Sequence, residues 1–214
     1  MTTFRRQTAC CGPLAAVTGL IATVLVAAPG HAAEPSPSIL GTVQAPVAKH
    51  RANAIVWVKQ GPRAPGVPPM NAKMDQKGLV FLPRVLPVQK GAKVEFTNSD
   101  PVAHNVFTVD GEKYDLGTWP QGQARAYTFT RTGVYRQLCR VHDDMLAYVV
   151  VVDTPWFAVS DKTGAFQLNG LPPGRYVLGV WHEKLSAADL TVDVVGGAAV
   201  TAAVMLGPRP AGAP

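Results

Sequence analysis

The chain has 214 residues, 47% of them apolar and 16% charged, with a formal net charge of +6. That length supports one or two domains with real cores, and a mild positive excess without clustered Lys or Arg argues against a nucleic-acid partner. The 20 Gly and 19 Pro favour frequent turns over long helices, so the expected fold class is all-β.

Residues 1–33 stand apart from the rest. A short basic head containing Arg5 and Arg6 precedes an apolar run, Leu14 to Ala28, and the small residues up to Ala33. This is the layout of a secretory signal peptide, with cleavage expected near Ala32 or Ala33 and a periplasmic or otherwise exported product. After cleavage no stable membrane span is expected. An uncleaved anchor, counted from Ala9, is the competing reading. Cleavage removes Arg5 and Arg6, leaving 18 basic against 14 acidic residues. It also removes Cys10 and Cys11, so Cys139 becomes the only cysteine. Exported proteins usually hold their cysteines in pairs, so a single thiol needs a specific reason.

Residues 39–60 read as two strands, the second of them, Ala54 to Lys59, rich in β-branched and aromatic residues. The Pro-rich stretch that follows cannot be a central strand. Val94 and Phe96 then alternate with Lys93, Glu95 and Thr97, the pattern of a half-buried strand, and Ala126 to Phe129 alternates likewise. Val134 to Cys139 is another strand, and Met145 to Val152 is an apolar run suited to a buried one. Short strands at this spacing suggest a Greek-key sandwich or barrel. Beyond Thr154 the sequence reads as a pair of strands around the turn Asn169 to Gly174, then a final hairpin bent at Gly196 and Gly197. About 50 residues is thin for a sandwich of its own. The expected layout therefore begins one small sandwich at 39–60, inserts a second domain at 61–153 and completes the first at 154–206. Residues 207–214 are expected to form a flexible tail.

The chemistry concentrates at Cys139, His142 and Met145, a Cys-x-x-His-x-x-Met spacing just before the valine run. Three such side chains can come from one tight loop, and a fourth must come from elsewhere. His104, which follows the turn-forming residues Asn98 to Pro101, is the candidate. One thiolate, two imidazoles and a weak axial thioether make the ligand set of a blue-copper site. Two other readings compete: a zinc site, for which Met is a poor ligand, and a buried structural cysteine with incidental neighbours.

The sequence around His104 together with Cys139, His142 and Met145 resembles the cupredoxins, the small type 1 copper proteins of the plastocyanin and azurin superfamily. The two-residue gap between His142 and Met145 is most similar to amicyanin, and the resemblance covers about residues 75 to 153. It implies a Greek-key cupredoxin β-sandwich with one copper ion bound by His104, Cys139, His142 and Met145. It also implies that Asn105 ties the two ligand loops together by hydrogen bonds. Electron transfer with a redox protein partner, a cytochrome or an oxidoreductase, is the implied function, with no enzymatic activity and with the His142 edge as the port. Asp143 and Asp144 depart from the apolar surroundings usual in amicyanin-like loops. The flanking segments resemble carboxypeptidase-regulatory-like modules of transthyretin type. The combination looks like exported copper-binding proteins of the methylamine-utilisation kind. Two further functions stay open: a copper carrier without redox work, and an interaction sandwich in which copper is ancillary.

The remaining candidates carry plainer expectations. His182 is expected to pack or hydrogen-bond locally, and His50 has no assigned role. Met70 and Met74 read as packing residues. Asp161 to Gly164 reads as a turn and not a calcium loop, because it lacks the further carboxylates calcium needs.

Overall fold

The computed structural model describes Met1 and residues 38–64 and 66–210. The expected signal peptide, residues 1–33, lies outside the described residues apart from Met1. Among the described residues the structure is all-β apart from one 3-10 turn, and no helix is long and apolar enough to cross a membrane.

The chain opens with β1 (Ser38–Gln44), the 3-10 turn Ala48–Arg51 and β2 (Ile55–Gln60). It continues through β3 (Ala72–Gln76), β4 (Phe81–Leu82), β5 (Val85–Gln89), β6 (Lys93–Asn98), β7 (His104–Thr108) and β8 (Tyr114–Trp119). Then come β9 (Ala124–Thr128), β10 (Gly133–Leu138) and β11 (Leu146–Val152). The last part holds β12 (Phe157–Val159), β13 (Ala165–Asn169), β14 (Gly174–Trp181), β15 (Leu185–Ser186), β16 (Leu190–Val194), β17 (Ala199–Met205) and β18 (Gly207–Pro208).

Strands β3 to β11 form two sheets, ordered β4-β3-β6-β9 and β5-β11-β10-β7-β8. Their inward residues make one core that includes Met74, Phe81, Val94, Phe96, Trp119, Phe129 and Tyr135. The alternation read in Lys93–Thr97 holds: Val94 and Phe96 are fully buried while Lys93 and Glu95 are exposed. A second pair of sheets, β13-β1-β17 and β12-β2-β14-β16, is assembled from the first two strands and the last third of the chain. Its core includes Ile39, Val56, Trp156, Leu168, Tyr176, Leu178 and Val204.

Two expected strand pairings differ. Strands β13 and β14 do not pair around Asn169 to Gly174; β13 pairs with β1, and β14 pairs with β2 and β16. Likewise β16 and β17 are not a hairpin, since β17 runs parallel to β1 in the opposite sheet. In both cases the turn carries the chain across the core from one sheet to the other. Alternation tells which side chains face inward but not which edge a strand joins. The tail expected from residue 207 is also docked at its start. Strand β18 pairs with β15, and Arg209 Nη2 donates to His182 O at 3.1 Å.

The valine run of β11 is buried on both faces. Val149 and Val151 belong to the core of the β3–β11 sandwich. Val150 and Val152 instead cluster with Ile55 and Val85, and with the partly buried Trp57, Phe157 and Trp181 of the second pair of sheets. This explains a near-continuous apolar run where a one-sided strand would alternate.

Candidate metal centre

Two neighbouring strand ends build the site. In β10 the alternation buries Tyr135 and Gln137, and carries on to bury Cys139 one residue past the strand. Residues 139–145 then loop over to β11, closed at the stem by the pairing of Leu138 with Leu146. Within the loop Met145 N donates to His142 O at 3.1 Å, a turn that folds the segment back on itself. Met145 is almost fully buried and shares a core with Cys139. The facing strand is β7, which lies between β10 and β8. Its register with β8 shifts between Asn105 and Phe107. A bulge of this kind re-aims side chains, and here both His104 and Asn105 are buried.

The geometry brings His104, Cys139 and His142 together. One ligand atom from each lies within 4.8 Å of the other two, and this is the one group of metal-capable donors among the described residues. The two imidazoles meet edge to face with centroids 4.9 Å apart, and their Nδ1 atoms are 3.1 Å apart. His104 is fully buried, whereas His142 keeps part of its ring in solvent.

The tautomer of His104 follows from its other nitrogen. His104 Nε2 lies 2.8 Å from Asp100 Oδ2. A carboxylate only accepts, so Nε2 carries the proton and Nδ1 presents its lone pair to His142 and Cys139. Asp100 is itself held by the backbone: Gly78 N donates to Oδ1 at 2.5 Å and Leu79 N to Oδ2 at 2.9 Å. Burial pushes the Asp100 carboxyl up, but the Leu79 and Gly78 N–H groups and His104 outweigh it, and the pKa lies below the ordinary carboxylate value.

A second network fixes the Cys139 side. Asn105 N donates to Cys139 Sγ at 3.5 Å, and Asn105 Oδ1 accepts from Arg140 N at 3.4 Å. The same amide donates through Nδ2 to Asp115 Oδ1 at 2.7 Å and to Gly117 O at 2.8 Å. Asp115 Oδ2 in turn accepts from Arg140 Nε at 2.8 Å, and the guanidinium of Arg140 sits 4.3 Å from the centroid of the Phe107 ring. The ion pair with Arg140, then the Asn105 and Gly117 donors, hold the Asp115 carboxyl below the usual range. Asn105 thus bridges β7, strand β8 and the loop carrying Cys139.

The donor set fits copper. It offers one soft thiol and two imidazoles whose Nδ1 atoms turn toward each other, with Cys139 and His104 buried. The 3.1 Å gap between the nitrogens is one that two metal–nitrogen bonds of about 2.0 Å can bridge. Residues 68–153 match the model of a family described as copper binding proteins, plastocyanin/azurin family. The chain is a copper protein.

No curated protein sequence matches this copper protein. Several solved structures are similar to it. One is a copper-containing nitrite reductase from Thermus scotoductus, at 26% identity, covering 42% of this chain and 25% of that one, with a TM-score of 0.38. The chain thus spans a quarter of the length of that reductase. Another is a purple cupredoxin from Nitrosopumilus maritimus, at 22% identity over 38% of this chain and 99% of that one, with a TM-score of 0.36. A third is a mutant of amicyanin in its reduced Cu(I) form, at 25% identity over 47% of this chain and 99% of that one, also with a TM-score of 0.36.

The other sequence candidates lie apart from the donor group. His182 is buried and its Nδ1 accepts Lys184 N at 3.2 Å and Leu185 N at 3.1 Å, a local structural role. Burial, first of all, holds its imidazole below the usual histidine value. The His50 ring lies 5.8 Å from it, centroid to centroid. Met74 is core and Met70 is exposed. Asp161 Oδ1 accepts from Thr163 N, Thr163 Oγ1 and Ala165 N, as a turn residue does. Asp143 and Asp144 are exposed.

Sequence reasoning missed Asp100 and the pair Asp115 and Arg140. A histidine that binds metal usually donates its other N–H to a carboxylate or carbonyl. The Asp four residues before His104 was therefore a legible signal. Asp115 carried none, because nothing local ties it to Arg140.

Proposed function

We propose that this is an exported mononuclear type 1 copper protein that carries single electrons between redox partners. His104, Cys139, His142 and Met145 would hold the copper, and Asn105 ties the two ligand segments together. The observation that carries the reading is the convergence of a buried thiol with two imidazole Nδ1 atoms that turn toward each other. Copper supplies the one-electron couple when bound. The chain's own residues do the rest. Asp100 fixes the proton of His104 on Nε2, and Asn105 and Arg140 hold the Cys139 segment against β7. The core sandwich keeps water from the sulfur, and a donor frame held this firmly reorganises little between oxidation states. The partly exposed ring of His142 is the contact point for a protein partner, a cytochrome or an oxidoreductase, and the role is that of a carrier, not an enzyme.

In this reading residues 61–153 are a cupredoxin domain inserted into a transthyretin-like module formed by 39–60 and 154–206. Residues 1–33 are the signal that exports it. The exposed Asp143 and Asp144 beside the port favour a partner with a basic docking face.

Copper titration of the purified protein, followed optically and by redox potentiometry, tests the proposal. Binding of one equivalent with an intense thiolate-to-copper band supports it, with Met145→Leu keeping the copper and shifting the potential. Bound copper without that band removes the type 1 assignment, and an unshifted Met145→Leu protein removes Met145 from the ligand set. Tight Cu(I) binding with no electron exchange toward a cytochrome would point to copper carriage instead.

A further inference from the structure

We propose that the second pair of sheets sets the position of the ligand loop through Arg84, and so tunes the copper site. The inference rests on the reading of Cys139 and Met145 as ligands.

The ladder between β5 and β11 starts at Val85 opposite Tyr148, leaving Leu146 and Ala147 beyond its end. Arg84 extends the hold. Its carbonyl accepts Tyr148 N at 3.0 Å, and its Nη1 donates to Leu146 O at 2.6 Å. Leu146 follows Met145 and faces Leu138 across the stem of the loop. Arg84 therefore fixes β11 at the point where the ligand loop rejoins the sheet.

The other edge of the guanidinium belongs to the second sandwich. Nε and Nη2 donate to Glu183 Oε2 at 3.2 Å and 2.8 Å. Glu183 lies between β14 and β15, on a turn that is itself pinned. The buried His182 accepts Lys184 N and Leu185 N, and Arg209 Nη2 donates to His182 O at 3.1 Å and Glu183 O at 3.5 Å. Only 19% of the Glu183 side chain is exposed. The Arg84 guanidinium also lies 5.7 Å from the Tyr148 ring centroid, and that ring packs against Trp181 at 5.0 Å. One planar side chain thus joins a rigid turn of one sandwich to the stem of the ligand loop of the other. A weakly bound thioether tunes the potential of sites of this kind, so a small shift of Met145 would change the potential of the loaded protein.

The test uses the full copper-loaded chain with Glu183→Ala, Glu183→Gln and Arg84→Gln. The control is Asp189→Asn, which breaks the 2.7 Å ion pair with Lys59 on the same sandwich without touching the loop. The readouts are the reduction potential and the intensity ratio of the copper charge-transfer bands. Glu183→Ala and Arg84→Gln are expected to change the Cu(II)/Cu(I) preference at least threefold with the same sign, about 28 mV at 59 mV per tenfold for one electron. The double variant should go no further than the larger single one. Glu183→Gln, which keeps an acceptor oxygen, should fall nearer the wild type, and Asp189→Asn should match it. Unchanged potential and bands in Glu183→Ala, or an equal shift in the control, would overturn the inference. If Arg84→Gln does not fold, the two Glu183 variants decide. A wild type without a thiolate band sinks the parent reading instead, so the two failures are told apart.

Discussion

Replacing Asp100 with alanine removes a carboxylate that three donors share: Gly78 N, Leu79 N and His104 Nε2. Hydrogen bonds to a charged group contribute about 1.5–3 kcal/mol each, but a partly opened turn lets water reach the two backbone donors. The buried ring of His104 has no such recourse, because its side chain has no solvent-exposed surface. The expected cost to the metal-free protein is about 1–3 kcal/mol, the range for leaving a buried donor without its partner. The ring also loses the group that keeps its proton on Nε2, so its lone pair no longer points reliably at Cys139 and His142. Loss of such an orienting partner lowers metal affinity about 10- to 100-fold. Competitive titration against a chelator measures the affinity, and urea denaturation of the metal-free protein measures the stability. An Asp100→Ala protein that bound copper within twofold of the wild type would refute the argument that Asp100 sets the tautomer.

Ile55→Ala deletes a fully buried side chain in the cluster that joins the two sandwiches. A loss of about 3 kcal/mol is expected, read as a lower urea midpoint, with the copper spectrum retained. Gly164 has φ +92°, and a Cβ there would fall 2.2 Å from the carbonyl oxygen of Val43, whose own N–H donates to Gly164 O. Gly164→Ala should therefore cost about 2 kcal/mol or more in thermal or chemical denaturation. The ion pair with Arg136 lowers the Asp110 carboxyl from its ordinary value, outweighing burial, which raises it. A depressed folded pKa gives stability that is present above the unfolded value of about 3.9 and is lost as pH falls through the folded one. With Arg136 about half exposed the gain is at most ~1 kcal/mol, and Asp110→Asn should flatten the stability–pH curve only below about pH 4.

The donor group His104, Cys139 and His142 was legible in sequence because two of its residues share one loop. Cys-x-x-His-x-x-Met needs no knowledge of the fold, and His104 could be added because the group needs a further member near a strand end. The alternation in β6 was equally legible, since one face of that strand is covered and the other is wet. Partner choice was not. Strands β13 and β14 were both legible as strands, yet they belong to opposite sheets, and nothing in either strand records which edge it meets. The docking of Gly207–Pro208 onto β15 was hidden for a similar reason, because a Pro-rich end reads as a tail until the edge it covers is known. The Arg84–Glu183 contact spans 99 positions and lies in two connections of unremarkable composition, so only the assembled chain reveals it.

One sulfur and two imidazole nitrogens, from residues 139, 104 and 142, are proposed to close on a single copper ion. X-ray absorption at the copper edge on protein loaded with one equivalent reads those neighbours directly. One short copper–sulfur distance and two copper–nitrogen distances are expected in the wild type, with the short sulfur lost in Cys139→Ser. A copper ion ringed by oxygen and nitrogen alone in the wild type, or the same sulfur signal in Cys139→Ser, would contradict it.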